Sequence, residues 1–168
     1  NDRDTLEVHL NVFADFDPSV PDGFQDSQYV FLANAAPGVQ SKVLDQVKDP
    51  QLVVADTMDL WINETRDDLV SLLKRVDGLV LNDSEAKLLT GEENLIRAAE
   101  QVVSMGPKFV VVKKGEHGAL LYSEDGVCVL PAFPTGDVVD PTGAGDSFAG
   151  GMMGYIAECD QADTETLR

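Results

Sequence analysis

Apolar runs of strand type alternate with helically spaced ones through most of this chain. That alternation predicts an α/β fold: a three-layer α/β/α sandwich around a mostly parallel sheet, with a β-hairpin towards the C-terminal end. Two further features support the class. Gln51 to Asp56 is apolar almost throughout rather than alternating, as expected of a strand buried on both faces. Polar residues also gather where such runs end, and sheets of this kind bind ligands beyond the carboxyl ends of their strands. At 168 residues the chain has room for one domain with a sizeable core, so residues 1–168 read as a single unit.

The elements follow in order. Val8 to Phe13 and Gln28 to Asn34 have strand composition. Pro37-Gly38 punctuates, and Val39, Val43, Leu44 and Val47 then recur at helical spacing. After the Gln51–Asp56 strand, Glu64 to Val76 reads as a helix with Leu69, Leu72, Leu73 and Val76 on one face. Gly78 to Leu81 is a strand, and Ser84 to Met105 is mostly helical with an interruption near Gly91. Phe109 to Lys113 is a β-branched strand. Ala119 to Tyr122 and Val127 to Leu130 form a hairpin about Asp125-Gly126, a favoured tight-turn pair. A last helix carries Phe148, Met152, Tyr155, Ile156 and Cys159 on one side, and Gly150, Gly151 and Gly154 suggest that it packs closely.

Composition removes several functions. Twelve basic against thirty acidic residues give a net charge of −18, a field that opposes nucleic-acid and anionic-membrane binding. It repels polyphosphate too, so any nucleotide must be attracted locally and a divalent cation would be valuable. No apolar run approaches the roughly 18 residues of a membrane span. No secretory start is visible, which leaves a cytoplasmic location as the expectation. Cys128 and Cys159 match no metal or redox spacing and read as small core residues. His9 and His117 have no partner spacing and read as non-catalytic.

The most informative stretch is Asp140-Pro-Thr-Gly-Ala-Gly-Asp-Ser-Phe-Ala-Gly150. It puts two glycines and a carboxylate at a helix start, where backbone N–H groups lack intrahelical partners and the dipole favours anions. Gly143 and Gly145 have no side chains to hold a phosphate away from those groups. Asp146 would repel a phosphate, and its presence makes sense if it handles a proton beside one. Phosphoryl transfer to a hydroxyl calls for that pairing. The chain has no Gly-x-x-x-x-Gly-Lys-Ser/Thr phosphate loop, and Phe148 stands where a dinucleotide fingerprint needs a small residue.

This stretch resembles the C-terminal signature D-T-x-G-A-G-D of the PfkB (ribokinase-like) carbohydrate kinases, with Pro141 in place of the usual Thr. The resemblance implies a ribokinase-type sandwich that transfers the γ-phosphoryl of ATP to a hydroxyl, expected to be primary, of a sugar or nucleoside. Asp146 would be the catalytic base, and the N–H groups of Gly143, Ala144 and Gly145 would form the anion hole. Asn82-Asp83-Ser84-Glu85 matches the family's N-x-x-E, whose Asn and Glu act on phosphates and Mg²⁺, largely through water. By itself the same pattern is ordinary helix capping. Lys113-Lys114-Gly115-Glu116-His117-Gly118 resembles the family's nucleotide loop, which points to Lys113, Gly115 and Gly118 at the nucleotide. A plain glycine turn with solvated lysines is the equal alternative. Asp140 and Thr142 align with positions that help hold a monovalent cation such as K⁺.

Asp56-Thr57-Met58-Asp59 ends a strand in a region that lies near substrate in the family, without a role assigned, and Trp61 reads as core or cleft wall. Family members usually have about 300 residues, near the upper range for one domain. The expectation is therefore the catalytic, ATP-facing part of a larger kinase. The glycine-rich sugar-binding segment, the lid that often pairs subunits into a homodimer, and the final helices would be absent. Two rival readings are a kinase-like binding protein without activity and the kinase half of a bifunctional kinase–nucleotidyltransferase.

Overall fold

The computed structural model describes residues 11–13, 16–160 and 166. Among these residues six strands form one sheet: β1 (Tyr29–Leu32), β2 (Leu52–Asp56), β3 (Gly78–Asn82), β4 (Phe109–Lys113), β5 (Ala119–Ser123) and β6 (Gly126–Leu130). Their spatial order is their chain order. β1 to β4 are parallel, and β5 and β6 add as an antiparallel hairpin. Six α-helices accompany them among the described residues: α1 (Pro37–Leu44), α2 (Asp59–Glu64), α3 (Arg66–Leu73), α4 (Asp83–Thr90), α5 (Leu95–Ser104) and α6 (Ala144–Cys159).

Topology explains an asymmetry between the layers. Parallel crossovers are right-handed, so strands added always in the same direction place their connecting helices on one face. Helices α1 to α5 accordingly share one core, in which Leu69, Leu72, Leu73 and Leu89 are fully buried against Val53, Leu79, Leu81 and Val110. Each such leucine stabilises the fold by about 1.5–3 kcal/mol over its exposed state. Among the described residues the opposite face is covered by α6 alone, through Ala149, Met153 and Ile156 on Val54, Val80, Val111 and Leu121.

Strand parity follows from this. Side chains alternate between faces, so Leu52 and Val54, Val80, and Phe109 and Val111 on the α6 side are continued by Asp56, Asn82 and Lys113 at the strand ends. The register places Asn82 opposite Lys113 and Asp56 opposite Val80, so these ends lie side by side.

Several expectations shift. The helix expected over residues 64–76 starts at Arg66, and a separate short helix, α2, precedes it; the break is at Thr65, at φ −134° and ψ 42°. The interruption at Gly91 is a left-handed C-cap at φ +77°, as glycine allows. The hairpin turns on Glu124 and Asp125, with Gly126 already paired to Ser123. Of the strand expected at residues 8–13, residues 8–10 lie outside the described residues and Asn11–Phe13 is a 3-10 turn. His9 also lies outside them.

The last helix is rotated from the expected stripe. It buries Ala149, Met153 and Ile156, while Tyr155 is 60 % exposed and Phe148 37 %. Small Ala149 adds little to a hydrophobic pattern, yet it lets the helix approach the sheet. Gly150, Gly151 and Gly154 do not mark close packing: a Cβ on any of them would meet nothing within 4 Å. Along this exposed side runs a cavity of about 410 Å³, bounded by Leu121, Leu130, Phe148 and Tyr155. Trp61 is buried, its indole N–H donating to Asn34 Oδ1 at 2.8 Å, and the two cysteines are half-buried free thiols.

Candidate active site

The site is built where β2, β3 and β4 end beneath the start of α6. Gly143 caps α6 in the left-handed region at φ +79°, which a residue with a Cβ adopts only under strain. Among the described residues no side chain caps this helix. The turn that leads into it is held by Asp140 Oδ1, which accepts from the Thr142 N–H at 2.9 Å and the Thr142 hydroxyl at 2.7 Å.

The expected anion hole differs at one member. The Ala144 N–H donates to Pro141 O at 3.1 Å, so it is engaged within the turn. The backbone bonds among the described residues leave the N–H groups of Gly143, Gly145 and Asp146 without an acceptor. Asp146 lies exposed in the first helical turn, close enough for its charge to act on Asp56.

For Asn82 and Glu85 the capping reading is observed, and it leaves part of each side chain unused. Asn82 Oδ1 accepts from the Glu85 N–H at 2.8 Å, and Glu85 Oε2 accepts from the Asn82 N–H at 2.7 Å, a complete capping box. Each side chain keeps one polar terminus outside that box, the Asn82 amide NH₂ and Glu85 Oε1. Capping therefore fixes both residues at the strand end without consuming them. Burial pushes the Glu85 carboxyl up to about 7, opposed by the Asn82 N–H and the Lys113 ammonium and reinforced by Asp56 and Asp59.

Lys113 is not a solvated lysine. Its side chain is 19 % exposed, its Nζ is 3.7 Å from Asp56 Oδ1, and a Cβ on Gly145 would lie 3.0 Å from it. Asp56 is 4 % exposed and accepts the Thr57 N–H at 2.9 Å. Burial raises its carboxyl above the ordinary range, against the pull of Lys113 and of Thr57, and Asp146 adds to the rise. Sequence reasoning left Asp56 without a role. The signal was present: a lone carboxylate ending an apolar strand, at the same parity as Asn82 and Lys113.

The neighbouring loop separates its members. Gly115, at φ +54°, faces open space, whereas a Cβ on Gly118 would fall 1.9 Å from Leu130 O. Gly118 is thus required by the backbone beyond β6. Lys114 closes the loop through its N–H to Gly118 O at 2.7 Å, and His117 is exposed on it.

Carboxylates outnumber cations here, with Asp56, Glu85 and Asp146 around one ammonium. Among the described residues no three His, Cys, Asp or Glu side chains converge to cage a metal directly. The available donors are hard oxygens, and the buried Thr57 hydroxyl beside Asp56 has no hydrogen-bond partner among the described residues. Such a set suits Mg²⁺, which keeps several of its waters and is held through them.

A family model described as "pfkB family carbohydrate kinase" matches residues 24–167. The chain belongs to this pfkB family. It is 32 % identical over 160 residues to a cytidine kinase of Thermococcus kodakarensis, covering 89 % of this chain and 57 % of that protein. The fold resembles a ribokinase II of Escherichia coli solved with ATP and Mg²⁺, with a TM-score of 0.64 and 26 % identity over 80 % of this chain and 47 % of that one. It also resembles the aminoimidazole riboside kinase of Salmonella enterica, with a TM-score of 0.68 at 21 % identity over 88 % of this chain and 53 % of that one. That last likeness concerns the fold alone. This pfkB chain therefore spans about half the length of the relatives it matches. No helix among the described residues is long and apolar enough to cross a membrane.

Proposed function

We propose that this pfkB chain carries the phosphoryl-transfer centre of an ATP-dependent kinase acting on a hydroxyl, preferentially primary, of a sugar or nucleoside. One observation carries the reading. Parity and register bring Asp56, Asn82 and Lys113 to the α6 side of the sheet, where the uncapped helix start presents Gly145 and Asp146. The cytidine kinase similarity favours a nucleoside acceptor.

In this reading Asp146 accepts the proton of the acceptor hydroxyl as its oxygen attacks the γ-phosphorus. The bond to the β–γ bridging oxygen breaks and ADP leaves with that electron pair. The unpaired N–H groups of Gly143, Gly145 and Asp146 take up charge on the equatorial oxygens, a stabilisation that grows as the charge develops. Lys113 pairs with phosphate. Asn82 and Glu85 would hold Mg²⁺ through water, and the ion when bound neutralises phosphate charge. A monovalent cation such as K⁺ at Asp140 and Thr142 belongs to the same reading.

The test is Asp146→Asn, assayed for ATP-dependent phosphorylation over a panel of nucleosides and sugars. Loss of a general base lowers turnover by about 10²–10⁴-fold and leaves ATP binding nearly intact. Turnover within tenfold of the parent would remove Asp146 from this role.

A further inference from the structure

Lysine at the end of β4 is held in an unusual way, and the manner of holding assigns work to Asp56. The Lys113 side chain leaves β4, passes the end of β3 and brings Nζ to 3.7 Å from the buried carboxylate at the end of β2. Its distal half lies against the glycine turn: Nζ, Cε and Cδ stand 3.0, 3.7 and 3.8 Å from where a Gly145 Cβ would be. Gly145 is not only a residue that lets phosphate approach. Its missing side chain also leaves room for the ammonium, which stands 3.0 Å from where a Cβ would lie.

A free lysine has a flexible four-carbon stem and about 2 kcal/mol of rotamer entropy, and it carries its charge into water by preference. A fixed anion is needed to hold the ammonium under the turn, and Asp56 is that anion. It is itself immobilised, since its Oδ1 accepts the Thr57 N–H and only 6 % of its side chain is exposed. At 3.7 Å the pair has Coulomb attraction without a close hydrogen bond, so the three N–H donors of Lys113 stay available to an incoming anion. Those donors sit beside the unpaired N–H of Gly145, the place where the proposed function puts the transferring group.

We propose that Asp56 is a positioning residue: its carboxylate anchors the Lys113 ammonium under Gly145, so that Lys113 contacts the γ-phosphoryl group of ATP. This rests on the kinase reading above. It goes beyond that reading by naming the phosphate that Lys113 meets and the residue that sets it there.

Calorimetric titration of the full chain with ATP and with ADP, each with Mg²⁺, separates the possibilities. Deleting a carboxylate near polyphosphate favours both nucleotides, so the informative quantity is the ratio of ATP to ADP affinity. Lys113→Met should reduce that ratio by about tenfold, the scale of one charge-assisted hydrogen bond. Asp56→Asn should reduce it several-fold, Asp56→Glu should restore part of it, and Asp56→Asn added to Lys113→Met should change nothing further. A carboxylate serving only the fold would lower the melting temperature without altering the ratio. An unchanged ratio in Asp56→Asn, or losses that add in the double variant, would overturn the proposal. If Asp56→Asn does not fold, Asp56→Glu decides alone: a parental ratio despite the displaced carboxylate overturns the proposal, and a ratio lowered only while Lys113 is present supports it. A parent chain that binds neither nucleotide would instead sink the kinase reading and this inference with it.

Discussion

Replacing Glu85 with Gln is expected to stabilise this protein at pH 8 while impairing its proposed site. The Glu85 carboxyl is pushed from its usual 4.5 up to about 7, chiefly by burial. Below the lower value both folded and unfolded chains hold the proton, so ionisation has no effect on stability. Between the two values the folded state keeps a proton that the unfolded chain releases, and stability falls as pH rises through that window. The interval of about 2.5 pH units corresponds to about 3 kcal/mol lost by pH 8. Gln has no proton to lose and still closes a capping box. The net expectation is a gain of about 3 kcal/mol at pH 8, equal to about 6–12 °C in Tm for a domain of this size, and a gain near zero at pH 4.5. Urea unfolding followed by circular dichroism at both pH values measures it. A parent whose stability is flat across that range, or a variant less stable than the parent at pH 8, would refute the reasoning.

Other outcomes follow from single distances and contacts. Gly118→Ala should destabilise by about 2–4 kcal/mol, because its Cβ meets Leu130 O at 1.9 Å in a backbone region at φ +88°; a melting curve within 2 °C of the parent would contradict it. Leu69→Ala, at a fully buried position, should cost about 2–5 kcal/mol in chemical denaturation. If Asp140 and Thr142 serve a monovalent cation, exchanging K⁺ for choline should slow turnover and Asp140→Ala should remove that dependence; equal rates in both salts would take the cation out of the reading.

Much of the chain's organisation was legible residue by residue. Apolar runs ending in Asp56, Asn82 and Lys113 gave the parallel strands and their polar ends, because a strand buried on both faces must be apolar until it reaches solvent. The glycine turn at Gly143 was legible because two glycines and a carboxylate at a helix start leave the N–H groups open to an anion, and the positive φ of Gly143 suits glycine. Other features were hidden. Helix α2 was missed because six residues carry too little periodicity, and the α6 face was misjudged because Ala149 packs by being small. The capping and functional readings of Asn82 and Glu85 stayed opposed in sequence, since a side chain with two polar atoms can serve both and only coordinates show which atom is used.

By itself, then, the sequence determined the fold class, the strand ends that carry polar groups and the glycine turn with Asp146, all of which are local consequences of residue type and spacing. Only the tertiary structure decided that Asp56 and Lys113 meet beneath Gly145. Those three residues come from distant parts of the chain, and what joins them is strand register and the parity of side chains across a sheet. Neither is written in any one segment.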